Sequence, residues 1–442
     1  MQQDSLTIQK VLEKLKITSL NDMQVASLEA NTTGKDIVLL SPTGSGKTLG
    51  FLLPILQTLD PAKPGVQALI LAPSRELAVQ IDQVFRMMGT DFKVNCCYGG
   101  HSTKVERNNL VQPPAVLIGT PGRIADHIRR GSFETTAIHT LVLDEFDKAL
   151  EYGFQGEMTF IIDQLHRLKK RILTSATPAV EIPSFTGVTS PIKLNFLDES
   201  ISLPQRLTLK AVISEGNDKL EALFRLICQI GHEATLIFCN HREAVERISE
   251  LLHQQGVVHD IFHGGLEQED RDRALIKFRN GSNRLLITTD LASRGLDIPE
   301  IKSVVHYQLP TNENAFVHRN GRTARMTAEG SAFLVLSENE ALPPFIQEAP
   351  TTQILAEIAV LPENPIWVTL YIAAGKKDKI NKTDIVGLLL QKGNLQKEEL
   401  GLLEVRDFYS FAAVNRSKAS RVVELVKNEK LKNRKVKIEI AN

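Results

Sequence analysis

Two short strings hold the residues of this chain best suited to chemistry. SPTGSGKT occupies residues 41–48, a glycine-rich stretch that closes on Lys47 and Thr48. LVLDEFD occupies residues 141–147, an apolar run that ends in the paired carboxylates Asp144 and Glu145. A glycine-rich loop that opens a helix can wrap phosphates in backbone N–H groups, here those of Thr43, Gly44, Ser45 and Gly46. Lys47 would then reach the β- and γ-phosphates, and the Thr48 hydroxyl would bind Mg²⁺. Asp144, at the end of a buried strand, would complete the metal site, with Glu145 placed to activate a water. Glycine-rich turns are common alone, but loop and carboxylates in one chain predict a site for a nucleoside triphosphate and Mg²⁺.

Such a site needs a sheet to hold its parts apart at a fixed spacing. From about residue 36 to 196, short apolar runs alternate with helix-like stretches. The strand candidates are DIVLL (36–40), ALILAP (68–73), AVLIGTP (115–121), TLVLDE (140–145) and RILTSAT (171–177). Runs this apolar fit strands buried on both faces of a parallel sheet. The motif residues stand at their carboxyl ends, where open α/β sheets place ligands. The rhythm restarts after a linker near 197–206, with strands at 234–240, 257–265, 283–290, 302–310 and 330–336. Residues 241–256 and 267–281 read as amphipathic helices that end at glycine. Residues 338–366 read as a linker with a docking strand. The last 76 residues change pattern to β-α-β-β-α-β, the split βαβ arrangement, which is also the topology of the RNA recognition motif. The domains are therefore expected at 1–200, 201–345 and 367–442, with a linker at 346–366. The expected class is α/β, two tandem RecA-like parallel sheets followed by a small α+β ferredoxin-like domain.

The chain has 442 residues, 42% hydrophobic and 24% charged, in the range of globular proteins rather than disordered ones. No apolar run approaches the ~20 residues needed to cross a bilayer. The N-terminus MQQDSLTIQK lacks the regions of a signal peptide, so a cytoplasmic protein without membrane contact is expected. Its four cysteines lack metal-ligand spacing and read as reduced thiols. The zero net charge hides an asymmetry: from residue 365 onward there are 16 Lys/Arg against 9 Asp/Glu. A basic end on an otherwise acidic chain points to a nucleic-acid tether or to a solvated lysine-rich surface.

With its motifs placed in order, the chain resembles the DEAD-box RNA helicases from residue 1 to about 345. The series runs Gln24, SPTGSGKT, PSRELA (73–78), GG (99–100), TPGR (120–123), DEFD (144–147) and SAT (175–177). It continues with IFCN (237–240), QEDR (268–271), TTDLASRGLDIP (288–299) and HRNGRTAR (318–325). Each string alone is a turn, a strand end or a solvated helix face, and the order of the whole set carries the resemblance. Residues 367–442 resemble the RNA-binding domain of the DbpA-like branch, notably through YIAAGKKDKINKTDIVG (371–387).

The resemblance implies an RNA-dependent ATPase that closes two domains over RNA and ATP. Gln24 would read the adenine edge, because one amide both donates and accepts. Arg322 and Arg325 would act as arginine fingers, a device worth about 10³–10⁵ in rate. Asp297 would contact the ribose, and Ser175 and Thr177 would hydrogen-bond Asp147 to couple nucleotide state to closure. RNA phosphates would meet Pro73, Arg75, Gly100, Thr120 and Arg123 on the first domain, and Asn240, Arg271 and Thr289 on the second. Such contacts position a strand without reading its sequence. Preference would come from the tail, where Lys376, Lys377, Lys379 and Lys382 are the preferred contact. Tyr371, Tyr409 and Phe411 could stack bases, on a face that is either open to them or packed against helices. The implied target is a structured hairpin of large-subunit ribosomal RNA, bound by a monomer that unwinds duplexes locally during ribosome assembly. The rival reading is an ATP-gated RNA clamp with negligible hydrolysis, and a DNA helicase is disfavoured by the tail and the motif set.

Four departures bear on this reading. Phe146 stands where the family has alanine, a ring burying roughly 150 Å² or more that neighbours must accommodate. Ile17 replaces the aromatic residue that stacks on adenine, at a cost of about 1 kcal/mol. Leu6 stands near the position of a missing phenylalanine, and Ala324 replaces a glycine between the two fingers.

Overall fold

Short strands rich in Val, Ile and Leu are stable only where both faces are covered, and the chain meets that demand twice with parallel sheets. The computed structural model describes residues 2–42, 44–100, 103–177, 181–197, 207–216, 218–290, 301–323 and 329–441. They group into two compact units, residues 1–202 and, apart from residues 294–297, residues 203–442.

The first unit holds seven parallel strands. They are β1 (Ile37–Leu40), β2 (Ala68–Leu71), β3 (Val94–Cys97), β4 (Val116–Gly119), β5 (Thr140–Leu143), β6 (Lys170–Ser175) and β7 (Ile192–Asn195). Their spatial order is β3-β4-β2-β5-β6-β1-β7. Alternate side chains of each strand enter two separate cores. Ile37, Leu39, Ile70, Ile118 and Val142 face one, while Val38, Leu69, Leu117, Leu141 and Leu173 face the other. The five apolar runs legible in the sequence are β1, β2, β4, β5 and β6, each near its expected place. Two edge strands were not legible: β7 alternates half-buried with exposed positions, and β3 carries Asn95 within VNCC.

In the second unit a further seven-stranded parallel sheet is ordered β10-β11-β9-β12-β13-β8-β14. Its strands are β8 (Leu207–Ser214), β9 (Thr235–Cys239), β10 (Asp260–Phe262), β11 (Leu285–Thr289), β12 (Ser303–His306), β13 (Gly330–Ser337) and β14 (Thr351–Thr352). The short β14 supplies the docking strand expected between 338 and 366, pairing with β8 at Thr351 and Lys210. β8 itself, next to the expected linker, was not legible in the sequence.

The tail is antiparallel, in the order β16-β17-β15-β20, from β15 (Trp367–Ile372), β16 (Leu400–Val405), β17 (Ser410–Asn415) and β20 (Ile438–Ile440). Helices Lys382–Gln391 and Arg416–Val426 cover one face, giving the expected β-α-β-β-α-β order. A capping box starts the first helix: Asn381 Oδ1 accepts from Asp384 N–H and Asp384 accepts from Asn381 N–H. A small hairpin, β18 (Lys430–Leu431) with β19 (Arg434–Lys435), precedes the last strand and shortens it from the expected run.

Period two divides this sheet. Val368, Leu370, Ile372, Ala412 and Val414 pack under the helices, while Thr369, Tyr371, Phe411 and Ala413 point the other way. That second face neither lies open nor meets the tail's own helices. It is docked on helix Gln268–Arg279 of the second parallel-sheet module. Phe411 is fully buried against Ile276 and Ala441, with Tyr371 and Tyr409 beside them. The Tyr409 hydroxyl donates to Asp272 (2.8 Å), and Arg279 pairs with Glu404 (3.3 Å). Asn280 Nδ2 donates to Thr369 Oγ1 (2.8 Å), which also meets Ser282 Oγ (2.8 Å). Burial and then Glu269 push the Tyr371 hydroxyl up to about 12. Base stacking on Phe411 is therefore closed off in this arrangement.

Candidate functional site

Three motifs of the first unit converge because of strand order. β6 lies between β1 and β5, so Ser175–Thr177 leave the sheet between the phosphate loop after β1 and the carboxylates after β5. The parallel register sets Leu40 beside Ser175 and Leu143 beside Leu173. Ser41 N–H donates to Ser175 O, and Asp144 N–H to Leu71 O.

Within the loop, Gly44 and Gly46 have φ of +86° and +88°, a left-handed backbone that favours glycine. A Cβ at Gly46 would also lie 2.6 Å from Gln24 Nε2, so any side chain there would push the Gln24 amide out of its present place. Helix Lys47–Thr58 then begins, with Thr48 half-buried in its first turn. Lys47 is buried, and its ammonium donates to Ser41 O (2.5 Å) and Pro42 O (2.8 Å). Gln24 abuts the same loop: Nε2 donates to Gly46 O (3.3 Å), and Oε1 accepts from Asn21 N–H in a capping box. Ile17 is half-buried and packs against the adjoining core rather than projecting freely.

Asp144 and Glu145 are both nearly buried. Burial first, and the Glu145 charge second, push the Asp144 carboxyl up to about 7, against the opposing pull of Thr174 and Lys47. Thr174 was not singled out in the sequence, yet its hydroxyl joins both acids. It donates to Asp144 Oδ1 (2.5 Å) and accepts from Glu145 N–H (3.0 Å). Glu145 adopts φ +46°, which turns the chain sharply out of β5 into helix Phe146–Glu151. Phe146 is 2% exposed and sits in a core with Leu71, Leu143 and Leu173, so the ring is absorbed by apolar packing.

The coupling contact differs in detail from expectation. Thr177 Oγ1 donates to Asp147 Oδ2 (3.2 Å), as expected, but Ser175 Oγ meets Thr177 Oγ1 (3.0 Å) rather than Asp147. Ser175 is fully buried at the strand end and bonds the threonine two residues on, which alone of the two meets the carboxylate. Lys148, 1% exposed, lies 3.7 Å from Asp147 and donates to Glu151, so DEFD is followed by a buried cation that sequence did not mark.

The expected RNA-contact residues of the first unit cluster as well. The Arg75 guanidinium lies against Gly99, within 3.1 Å of where a Cβ would stand, and Gly100 beside it has φ +95°. Pro73 is buried at the end of the run that contains β2. Thr120 precedes helix Pro121–Arg129, and Arg123, on its first turn, pairs with Glu106 (3.4 Å).

In the second unit, Asn240 follows β9 and Thr289 ends β11. Asn240 is held by Arg319, whose Nη2 donates to Asn240 Oδ1 (2.7 Å). Arg319 is almost wholly buried, grips Asp290 through two hydrogen bonds and lies 5.1 Å over the Phe238 ring. It belongs to HRNGRTAR but was not separately assigned. The Arg271 guanidinium stacks 5.1 Å from the Phe262 ring, and Arg322 is 2% exposed. Thr43, Asp297, Ala324 and Arg325, and the side chain of Leu6, lie outside the described residues. On the tail, Lys376, Lys377, Lys379 and Lys382 are all exposed. The β18–β19 hairpin extends the patch: Lys432 donates to Lys379 O (2.7 Å), and Arg434 pairs with Asp378.

A phosphate loop, an acid pair and a coupling strand on a parallel sheet, followed by a second such sheet and a basic tail, define an RNA-dependent motor ATPase. Comparison with known proteins agrees along the whole chain. The DEAD/DEAH box helicase family matches residues 21–184, the helicase conserved C-terminal domain residues 218–327, and the DbpA RNA binding domain residues 369–440. The ATP-dependent RNA helicase DbpA of Escherichia coli is 31% identical over 97% of this chain and 98% of its own length. The DbpA of Bacillus subtilis is also 31% identical, over 100% and 98%. Saccharomyces cerevisiae Dbp5 bound to RNA and ADP BeF3 superposes with a TM-score of 0.67 at 27% identity, covering 75% of this chain and 88% of that one. Mss116p bound to ssRNA and AMP-PNP shares the fold, with a TM-score of 0.68 at 24% identity over 79% and 77%. The chain belongs to the DbpA family of DEAD-box ATP-dependent RNA helicases, RNA-binding enzymes that hydrolyse ATP in response to RNA.

Proposed function

We propose that this enzyme couples ATP hydrolysis to local unwinding of RNA duplexes in large-subunit ribosomal RNA, acting as a cytoplasmic monomer in ribosome assembly. The observation that carries the coupling is strand order: β6 runs between the two halves of the nucleotide site and leads, two residues past its end, to Thr177, which bonds Asp147. The ribosomal target draws its support from the two DbpA relatives and from the exposed lysines of the tail. The working division is 1–200, 201–345 and 367–442, joined by 346–366.

The residues fit a magnesium nucleotide. Mg²⁺ prefers oxygen ligands, and a buried carboxyl lifted to about 7 beside a second acid is one that a cation would return to its charged form. Thr48 and Asp144 would hold the ion, whose chemistry is to neutralise charge on the phosphates. Lys47 and the N–H groups of Thr43–Gly46 bind phosphate, Gln24 reads adenine, Asp297 binds ribose, and Glu145 orients the attacking water. Arg322 and Arg325 stabilise charge on the transferred phosphoryl group. RNA phosphates follow Pro73, Arg75, Gly100, Thr120 and Arg123, then Asn240, Arg271 and Thr289, with Lys376, Lys377, Lys379 and Lys382 holding the addressed hairpin.

The test is Glu145→Gln. RNA-stimulated phosphate release is expected to fall by about 10²-fold or more, the scale of losing a positioned base, while nucleotide-dependent RNA binding persists. Equal and slow release by wild type and variant would favour the clamp reading instead.

A further inference from the structure

Away from the nucleotide site, a buried polar cluster of the first unit surrounds Glu106, in helix Thr103–Leu110. Cys97, Glu106 and His127 bring ligand-type atoms within 4.8 Å of one another, all three buried. A metal reading does not hold up. The carboxylate already has a cation, since Arg123 Nε stands 3.4 Å from Oε2. The Cys97 thiol is pushed far up, by burial first and by Glu106 second, which keeps it protonated rather than a ligand.

What the cluster does instead follows from its donors. Glu106 is 6% exposed, and a carboxylate this deep requires hydrogen bonds on both oxygens. Oε1 accepts from Tyr98 N–H (3.2 Å). Oε2 faces His127 Nε2 (2.8 Å) and Arg123 Nε (3.4 Å). His127 is fully buried and is fixed from its other side by Ser132 Oγ, 3.1 Å from Nδ1. Tyr98 leads directly into Gly99 and Gly100, and Arg123 closes TPGR. One carboxylate therefore ties together two segments, from different strand ends, that the proposed RNA path uses in succession.

We propose that Glu106 is a positioning residue for RNA binding. It holds the plane of the Arg123 guanidinium and the start of the Gly99–Gly100 turn at the spacing one run of RNA phosphates demands. An arginine carries several free torsions, and ordering it before RNA arrives spares binding that entropy. The inference rests on the RNA roles given above to Gly100 and Arg123.

The test is a double-mutant cycle in the full chain. The readouts are the single-stranded RNA concentration for half-maximal ATPase stimulation, kcat at saturating RNA, KM for ATP and the thermal midpoint. Glu106→Gln keeps the shape and loses the charge. It is expected to raise the half-stimulating RNA concentration about fivefold, the size of coupling found between side chains in contact. The effect falls on that concentration rather than on kcat or the KM for ATP. In an Arg123→Ala background the same change is expected to add less than about twofold, as two residues acting through one contact should behave. Glu106→Ala, which also removes the carboxylate that accepts from Tyr98 N–H and leaves a buried cavity, is expected to lower the thermal midpoint, so Glu106→Gln is the deciding variant. Multiplying effects in the double variant, or a wild-type RNA response in Glu106→Gln, overturns the proposal. So does a loss in Glu106→Gln that falls equally on kcat, the KM for ATP and the midpoint, because it would mark Glu106 as purely structural. If Arg123→Ala alone leaves the RNA response unchanged, the RNA path itself is wrong and the proposal falls with it.

Discussion

Replacing Thr174 by valine would change almost no volume and remove one hydroxyl that serves both acids of the Asp144–Glu145 pair. Thr174 is fully buried, so no water can substitute for the lost group. Two contacts go: the donation to Asp144 Oδ1 and the acceptance from Glu145 N–H. A bond to a charged acceptor is worth about 1.5–3 kcal/mol, and an orphaned buried N–H costs about 1–3 kcal/mol. Folding should therefore weaken by about 3 kcal/mol, which for a module of this size lowers the thermal midpoint by about 6–12 °C. If only the Asp144 bond is felt in the transition state, about 2 kcal/mol corresponds to a roughly 30-fold loss in kcat. The Thr174 bond also holds the Asp144 carboxyl down, so its removal should lift that group further above about 7. Because bound Mg²⁺ would return Asp144 to its charged form, that shift belongs to the ion-free protein and should show as a weaker apparent Mg²⁺ affinity near neutral pH. Phosphate release at saturating ATP and RNA across a Mg²⁺ series, alongside calorimetry, reads all three effects. Thr174→Ser should recover most of the rate, because it retains the hydroxyl. A valine variant with kcat within threefold of wild type and an unchanged midpoint would show that the Thr174 link is incidental.

Two further outcomes follow from the second unit. Converting Lys376, Lys377, Lys379 and Lys382 to glutamine should reduce the salt dependence of hairpin binding by up to about three to four phosphate contacts' worth of slope, read by anisotropy across a salt series; an unchanged slope would place the RNA on another face. Burial holds the His306 imidazole down at about 3, with Arg319 adding to it and Asn320 Oδ1 2.9 Å away. In the unfolded chain this group titrates near 6.5, so below that pH only the unfolded state takes up its proton. Stability should then fall as pH drops from about 6.5 towards 3, by at most about 1.4 kcal/mol per pH unit from this one group. Urea midpoints at pH 7 and 5.5 should converge between wild type and His306→Gln if it is the source, whereas parallel slopes would assign acid sensitivity elsewhere.

Particular residues show what could be read before the fold was known. β1, β2, β4, β5 and β6 announce themselves because both of their faces are covered, leaving unbroken apolar runs. β3 and β7 sit at sheet edges, and their half-exposed side chains break that signal. The phosphate loop and acid pair were legible because catalysis demands those side chains at sheet ends. Thr174 and Glu106 were not, since each works by reaching a residue beyond its own strand or helix, and Lys148 was not, since only the packing around its short helix reveals that the cation is buried. In one dimension a threonine within a strand and a glutamate within TKVERNNL look ordinary. The aromatic face of the tail gave the least. Tyr371, Tyr409 and Phe411 share a side by period two, but only tertiary packing reveals that Ile276 covers it.

That covering has a mechanical consequence. Prying the tail loose would strand Asn280 and Thr369 without each other and bare Phe411 to water, so the basic domain is unable to dangle on its connector. On the function proposed above, any RNA held by the tail would move together with the second sheet, so the tail would act as a handle on that sheet rather than as a tether.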